Sequence, residues 1–307
     1  MSFTHSIMFH HFHSEKHLPA QGSLSSDDFS EMLDWLGERY NLIGANEYLH
    51  KFNNSALEPQ DICLSFDDAL LCQYDIALPI LKERRLDAFF FVCSSVLNKQ
   101  DNLEILRYFR TNLFSSIDDF YEQFFNLVDE YYEDELVTHK EHYPALHYLD
   151  AFLFYSKDDK WFRYLRDQVL GPERYEKMMI SLMEKKNFNS DEIINELCLS
   201  EDNLKEVAKH GNLVGLHSFD HPTQISKLSY EEQLHQYTDN YNHLKRLVGE
   251  VVSMSHPCGD YNDDTLKILS DLGIQIGFRS SLSTTEVKSR FEIPRDDHAN
   301  IFARMKR

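Results

Sequence analysis

Two adjacent carboxylates, Asp67 and Asp68, close the apolar run 62–66 in the stretch LSFDDAL. Like charges at the end of a buried strand repel each other unless a proton, a cation or a metal offsets them. A fitting partner stands further along, in GLHSFDHPT, where His217 and His221 lie four residues apart. One helical turn puts such a pair on one face, so both imidazoles can address a single ion. Imidazole and carboxylate are ordinary zinc ligands, and catalytic zinc keeps three protein ligands and one open position for water. Asp68, His217 and His221 make such a set. Asp67 then stays off the metal and accepts a proton from the bound water, whose pKa a metal lowers from about 15.7 toward about 7. This is chemistry for hydrolysing an amide or an ester. Either motif alone is common on ordinary protein surfaces; the weight comes from finding each at the end of an apolar strand.

On a regular strand neighbouring side chains face opposite sides, so both acids can enter one site only where the strand stops and the chain turns. The C-terminal ends of strands are also where barrels build active sites. Short apolar runs at 6–12, 62–66, 88–93, 212–218, 251–259 and 274–281 read as strands. Between them lie helical patterns at 25–40, 70–85, 204–211, 229–249 and 263–273, the first with Ser25 or Ser26 as its N-cap. This alternation predicts an α/β chain with a parallel sheet, read as a (β/α) barrel rather than an open sheet. From 98 to 200 the strand signals vanish, and YEQFFNLVDEYYEDEL and ERYEKMMISLMEKKN read as helices. The expected organisation is a barrel made of 1–97 and 201–307 with a helical insertion at 98–200. That insertion is read as a lid, a wall or a surface for a second copy.

Acids outnumber bases 51 to 31, a formal charge of −20 that repels nucleic acid, anionic membranes and long polyanions. A neutral or cationic sugar, or a small anion in a local basic pocket, remains compatible with that field. The five cysteines are scattered and odd in number, which predicts core residues rather than a zinc knuckle or a disulfide framework. No run approaches the roughly eighteen apolar residues of a membrane span. The opening MSFTHSIMFHHFHSEKH lacks the basic start and apolar run of a secretory signal, so a cytoplasmic setting is expected.

Taken together, the motifs resemble the polysaccharide deacetylases of the NodB-homology group. SFDDA (65–69) is similar to that family's (S/T)FDD motif, HSFDHP (217–222) to its H(S/T)xxHP motif, and HPCGDYN (256–262) to its YPYGxYN motif. IMFHHF resembles the family's LMYH opening, and DAFFFV its ATFF strand. The resemblance implies a distorted (β/α) barrel, one divalent metal, usually zinc, and removal of an N-acyl group, generally acetyl, from an amino sugar or glycan precursor. It makes Asp67 the base and Asp68, His217 and His221 the ligands, and sets the backbone near Cys258 and Gly259 beside the substrate and oxyanion. His10 aligns with the strand-one histidine and is read as lining the pocket, where it contacts substrate.

The chain also departs from the pattern. Many members carry an arginine at the start of the third motif, where this chain has Ser255 and His256, and Cys258 replaces an aromatic. No clean LxxH supplies the family's general acid. The tail EIPRDDHANI offers His298 as that acid and Arg295 as a pocket residue. The alternative activities are deformylation, hydrolysis of another amide, or mere binding of a glycan or protein by an inactive barrel. An intact Asp67 argues against the last, since a binding protein needs no base beside a metal.

Overall fold

The structure is a computed structural model that describes residues 5–20, 22–98, 103–149, 155–282 and 286–306. Residues 1–4 of the opening segment, and 99–102 and 150–154 of the expected insertion, lie outside the described residues. Two compact units divide the chain, Met1–Asp101 with Ile194–Arg307, and Asn102–Ile193. The sequence pattern drew the second unit a few residues wider at each end.

In chain order the first unit begins with β1 (Ser6–Phe9), α1 (Ser26–Gly37), β2 (Asn41–Leu42), α2 (Ala45–Asn53), β3 (Asp61–Ile62), β4 (Leu64–Phe66), α3 (Leu78–Arg84), β5 (Phe89–Val92) and α4 (Ser94–Leu97). The second unit holds α5 (Leu103–Asn112), α6 (Ile117–His142), α7 (Lys157–Tyr164) and α8 (Gly171–Lys185). After α9 (Ser190–Leu197) the first unit resumes with α10 (Glu201–Lys209), β6 (Leu213–Leu216), α11 (Tyr230–Val248), β7 (Ser253–Ser255), α12 (Asp263–Asp271), β8 (Ile276–Phe278), β9 (Arg295–Asp297) and α13 (His298–Met305). Ser25 is the N-cap of α1 and forms a capping box with Asp28, which satisfies N–H groups that the first helical turn leaves open. The helix expected over 70–85 forms with a π-helical segment at Gln73–Ala77 before its α-helical run Leu78–Arg84.

Seven strands form one sheet in the order β8-β7-β6-β5-β4-β1-β9, and each neighbouring pair is parallel. The two edges nearly meet. Before it enters β9, the chain runs beside β8, with Gly277 N–H donating to Arg290 O at 2.9 Å and Ile293 N–H to Gly277 O at 2.9 Å. A side chain at 277 would block that approach, since a Cβ there would stand 2.8 Å from Phe291 Cα. The result is the distorted (β/α) barrel that the alternation predicted. β9 was not read as a strand, because its three residues are all charged and show no apolar run.

The faces alternate with the pleat. In β5, Phe90 stacks on Phe66 of β4 at 4.7 Å, while Phe89 and Phe91 turn the other way and meet Phe278 at 5.0 and 5.5 Å. The registers align the C-terminal ends of six strands, so the residues that follow them form one rim: His10, Asp67, Cys93, His217, His256 and Arg279. β1 stops at Phe9 rather than at 12, and Phe12 keeps an isolated bridge to Leu24. His10 therefore follows the strand rather than lying within it.

The second unit is helical, and its core gathers Phe109, Phe120, Phe124, Phe162, Met178 and Met179. α6 bends at Tyr132, whose φ of −137° is not helical. Among the described residues no helix is long and apolar enough to cross a membrane.

Candidate metal centre

β4 ends at Phe66, and Asp67 adds one further ladder bond, its N–H donating to Phe9 O at 3.1 Å. The chain then turns left-handed at Asp68 (φ 75°) and Ala69 (φ 53°). That conformation costs roughly 1–2 kcal/mol per non-glycine residue, and it brings the second carboxylate to the same rim as the first. Two tethers hold the turn. Leu199 N–H donates to Ala69 O at 2.9 Å, and the Gln73 amide donates to Asp67 O at 2.6 Å and His10 O at 3.0 Å. Gln73 is fully buried; sequence reasoning missed it because it sits in a segment read as plain helix.

The second motif also departs from its expected local structure. His217 and His221 are not on a helical turn; they follow the end of β6 in a loop with left-handed residues at Ser218 (φ 62°) and His221 (φ 57°). Pro222 disfavours a right-handed helical conformation for His221, so a turn does what the helical spacing was expected to do. The rings stand 4.8 Å apart. His217 Nδ1 lies 2.8 Å from the Ser255 carbonyl, which assigns its proton to Nδ1 and frees Nε2 as a ligand.

Nε2 of His217 and Nε2 of His221 stand 3.3 and 3.5 Å from the same Asp68 Oδ1. Donors about 2.1 Å from a tetrahedral zinc lie about 3.4 Å from one another. Asp68 Oδ1 is buried without a hydrogen-bond partner, an arrangement that costs free energy unless a cation supplies the missing interaction. Chemistry and spacing of the three donors therefore fit a divalent ion. Cys93, read from the sequence as a core residue, lies beside the set: its Sγ and ligand atoms of Asp68 and His217 are within 4.8 Å of one another. Its thiol donates to the His217 carbonyl at 3.3 Å.

Asp67 stays apart from that set. Arg295 grips it with both ends of its guanidinium, Nη1 to Oδ1 and Nη2 to Oδ2, each at 2.7 Å. The same guanidinium donates to Ser65 Oγ at 3.1 Å, Ser255 Oγ at 2.6 Å and Arg279 O at 2.8 Å. Arg295 is only 1% exposed, and all its nitrogens are spent on protein acceptors. The reading of Arg295 as a substrate contact is therefore corrected: it is the buried partner of Asp67. It reaches in from β9 and occupies the space that small Ser255 leaves.

These contacts set the charge states. Burial pushes the Asp67 carboxyl up, but the Arg295 guanidinium and then His217 outweigh it and hold it below the ordinary carboxylate value. Burial acts likewise on Asp68, and the two histidines hold it well below that value. Burial pulls His217 down, yet Asp67 and Asp68 raise it overall. For His221 burial prevails and the imidazole is lowered.

His10 faces the pair from the far side, its Nε2 4.0 Å from Asp67 Oδ2 and 3.9 Å from Asp68 Oδ2, with 27% of its side chain exposed. His298 is placed differently from the sequence expectation. It is buried and stacks on Phe9 at 5.6 Å, with Nε2 2.8 Å from Gly22 O and Nδ1 3.3 Å from Met8 O. Both nitrogens face backbone carbonyls, so the general-acid reading of His298 is corrected as well; between it and His10, His10 is the one that stands near both carboxylates. Cys258 is exposed, and with Gly259 it forms a left-handed turn at the rim (φ 54° and 69°).

Residues 171–277 match the family model described as polysaccharide deacetylase. That span takes in His217, His221 and the third motif and stops short of Asp67 and Asp68. YxkH of Bacillus subtilis (strain 168), whose name assigns it to the polysaccharide deacetylases, is 30% identical over 80 residues. The match spans 26% of this chain and 28% of that relative's length. The Streptococcus pyogenes deacetylase PplD shares the fold with a TM-score of 0.55 at 16% identity, over 96% of this chain and 92% of its own. IcaB from Ammonifex degensii does so with a TM-score of 0.56 at 14% identity, over 96% and 91%. The likeness seen in HSFDHP thus recurs in a family model, and a curated relative and the folds of solved deacetylases support it; the family that this chain resembles is the polysaccharide deacetylases.

Proposed function

We propose that this chain is a metal-dependent hydrolase that removes an N-acyl group, acetyl first among them, from an amino sugar of a glycan or glycan precursor. One observation carries the reading. Asp68 Oδ1 stands 3.3 and 3.5 Å from two imidazole nitrogens, while the adjacent Asp67 is held ionised and off that set by Arg295. A metal ligand set and a separate base are what hydrolysis of an unactivated amide needs.

Asp68, His217 and His221 would hold one divalent ion, zinc by the character of the ligands. Such an ion lowers the pKa of a water and polarises an acyl oxygen when bound. Asp67 accepts the water's proton. Its low pKa keeps it ionised across the neutral range, and the two bonds from Arg295 stop it from swinging over to join Asp68. An amine leaves an amide only with a proton added to it. His10, over both carboxylates and open to solvent, is placed to give that proton. The product carries a new cationic amine, which the protein's negative field accommodates.

The test is release of acetate from an N-acetylglucosamine oligomer by zinc-loaded protein, with formate from an N-formyl analogue measured beside it. Acetate from wild type and none from Asp67→Asn is the expected result. No acyl release from any N-acyl sugar by the loaded wild type overturns the proposal.

A further inference from the structure

The loop that carries His217 and His221 holds itself only in part, with His221 N–H donating to Ser218 Oγ at 3.1 Å. Two of its residues are left-handed without being glycine, each at a cost of roughly 1–2 kcal/mol, and its amides face away from the sheet ladder. The amides of residues 217, 219 and 220 end on one helix. Asn240 of α11 is 0% exposed, and its Oδ1 accepts the His217 N–H at 3.1 Å. Its Nδ2 donates to Val92 O at 2.9 Å and Ser94 Oγ at 2.8 Å, at the end of β5 and the start of α4. One turn earlier, Gln236 Oε1 accepts from Phe219 N–H at 3.0 Å and Asp220 N–H at 3.1 Å.

An asparagine inside a helix is a poorer helix former than leucine, and a buried amide costs free energy wherever it lacks partners. Packing α11 against the sheet asks for neither. What the two amides have in common is the loop. They sit four residues apart on one face and between them satisfy the N–H groups of residues 217, 219 and 220. Removing Asn240 leaves the buried His217 N–H unmet, removing Gln236 releases the amides of 219 and 220, and either lets the left-handed residues relax, which moves His221 Nε2 relative to Asp68.

We propose that Gln236 and Asn240 are positioning residues: the polar face of α11 is the template that sets the distance between the two metal-binding imidazoles. The inference rests on the metal reading of the site. It makes metal affinity and coordination geometry depend on side chains that touch neither metal nor substrate.

Cobalt(II) titration of the metal-stripped protein tests it, since visible absorption of the bound ion reports both affinity and coordination geometry. Gln236→Leu is expected to weaken cobalt binding about tenfold, and Asn240→Ala by about 10–100-fold, the range seen when partners of metal ligands are removed. Both should alter the absorption bands. Gln236→Glu keeps an acceptor in place and should stay within about threefold of wild type, which a role in packing alone would not require. If Asn240→Ala does not fold, partly exposed Gln236 carries the test. Wild-type affinity and spectrum in Gln236→Leu overturn the positioning role while the metal site stands. A wild type that binds no cobalt overturns the metal reading itself, and the inference with it.

Discussion

Arg295 and Asp67 are joined by two parallel hydrogen bonds of 2.7 Å across the barrel interior, 228 residues apart in the chain and both out of water. Removing one member of such a pair leaves an uncompensated charge, at a cost of roughly 3–5 kcal/mol. Arg295→Met should therefore lower the free energy of unfolding in urea by about that amount. With the guanidinium gone, burial acts on Asp67 with less opposition and its pKa rises. The acidic limb of the activity profile should move to higher pH, so more activity is lost at pH 6 than at pH 8. An unchanged urea midpoint would contradict the pairing.

Asp67→Asn and His221→Ala should separate base from ligand. The first keeps about one divalent ion per chain after dialysis and loses roughly 10²–10⁴-fold in turnover, the usual contribution of a positioned base. The second loses both. Metal analysis beside acetate release reads the difference, and an Asp67→Asn protein that turns over at the wild-type rate removes the base assignment.

Metal binding should depend on pH through one proton in the mildly acidic range. His217 carries a raised pKa in the metal-free protein because Asp67 and Asp68 outweigh its burial, so a metal must displace its proton below about pH 7. His221 is lowered by burial, so it gives up its proton at lower pH than His217 does. Zinc affinity, measured by chelator competition, should fall about tenfold per pH unit from pH 6.5 to 5.5. A hundredfold fall over that unit, or none, would contradict the two assignments.

His256 should make the protein sensitive to acid. It is fully buried and stacked on Tyr261 at 4.2 Å, with Nε2 2.9 Å from Phe291 O, and burial pushes its pKa down to about 4. The unfolded chain takes up that proton near pH 6.5, the folded chain near 4. The contribution to stability is thus complete above about pH 6.5 and is lost as pH falls toward 4, by ~3 kcal/mol. Urea unfolding at pH 7, 5.5 and 4 should show a smaller decline in His256→Gln than in wild type. Parallel declines would exclude His256 as the cause.

The parts legible in the sequence are those with local signatures. Strands such as FFFV announce themselves by β-branched and aromatic content, and α1 by its Ser25 cap. Asp68, His217 and His221 were legible as candidate ligands because ligand chemistry restricts residue type, and the structure brings the three together. What stayed hidden depends on contacts between distant segments. The helical spacing of His217 and His221 predicted a turn that the structure builds from left-handed loop residues instead. Arg295 was legible as a candidate and not as the partner of Asp67, because nothing local says that a charged triplet is a barrel strand facing inward. Gln73, Gln236 and Asn240 looked like ordinary helix residues, since a side chain that serves a loop elsewhere leaves no periodic trace.

The position of Arg295 in the order of synthesis has a consequence for how the molecule matures. A growing chain has produced all three proposed metal ligands by His221, yet the counter-charge for Asp67 emerges only with Arg295, on the last strand of the sheet. Until that strand docks, the barrel has an open edge and a carboxylate at its centre with no guanidinium to answer it. Closure of the barrel and pairing of Asp67 are therefore the same event, and a nascent or C-terminally clipped chain holds the proposed ligands without the guanidinium beside them.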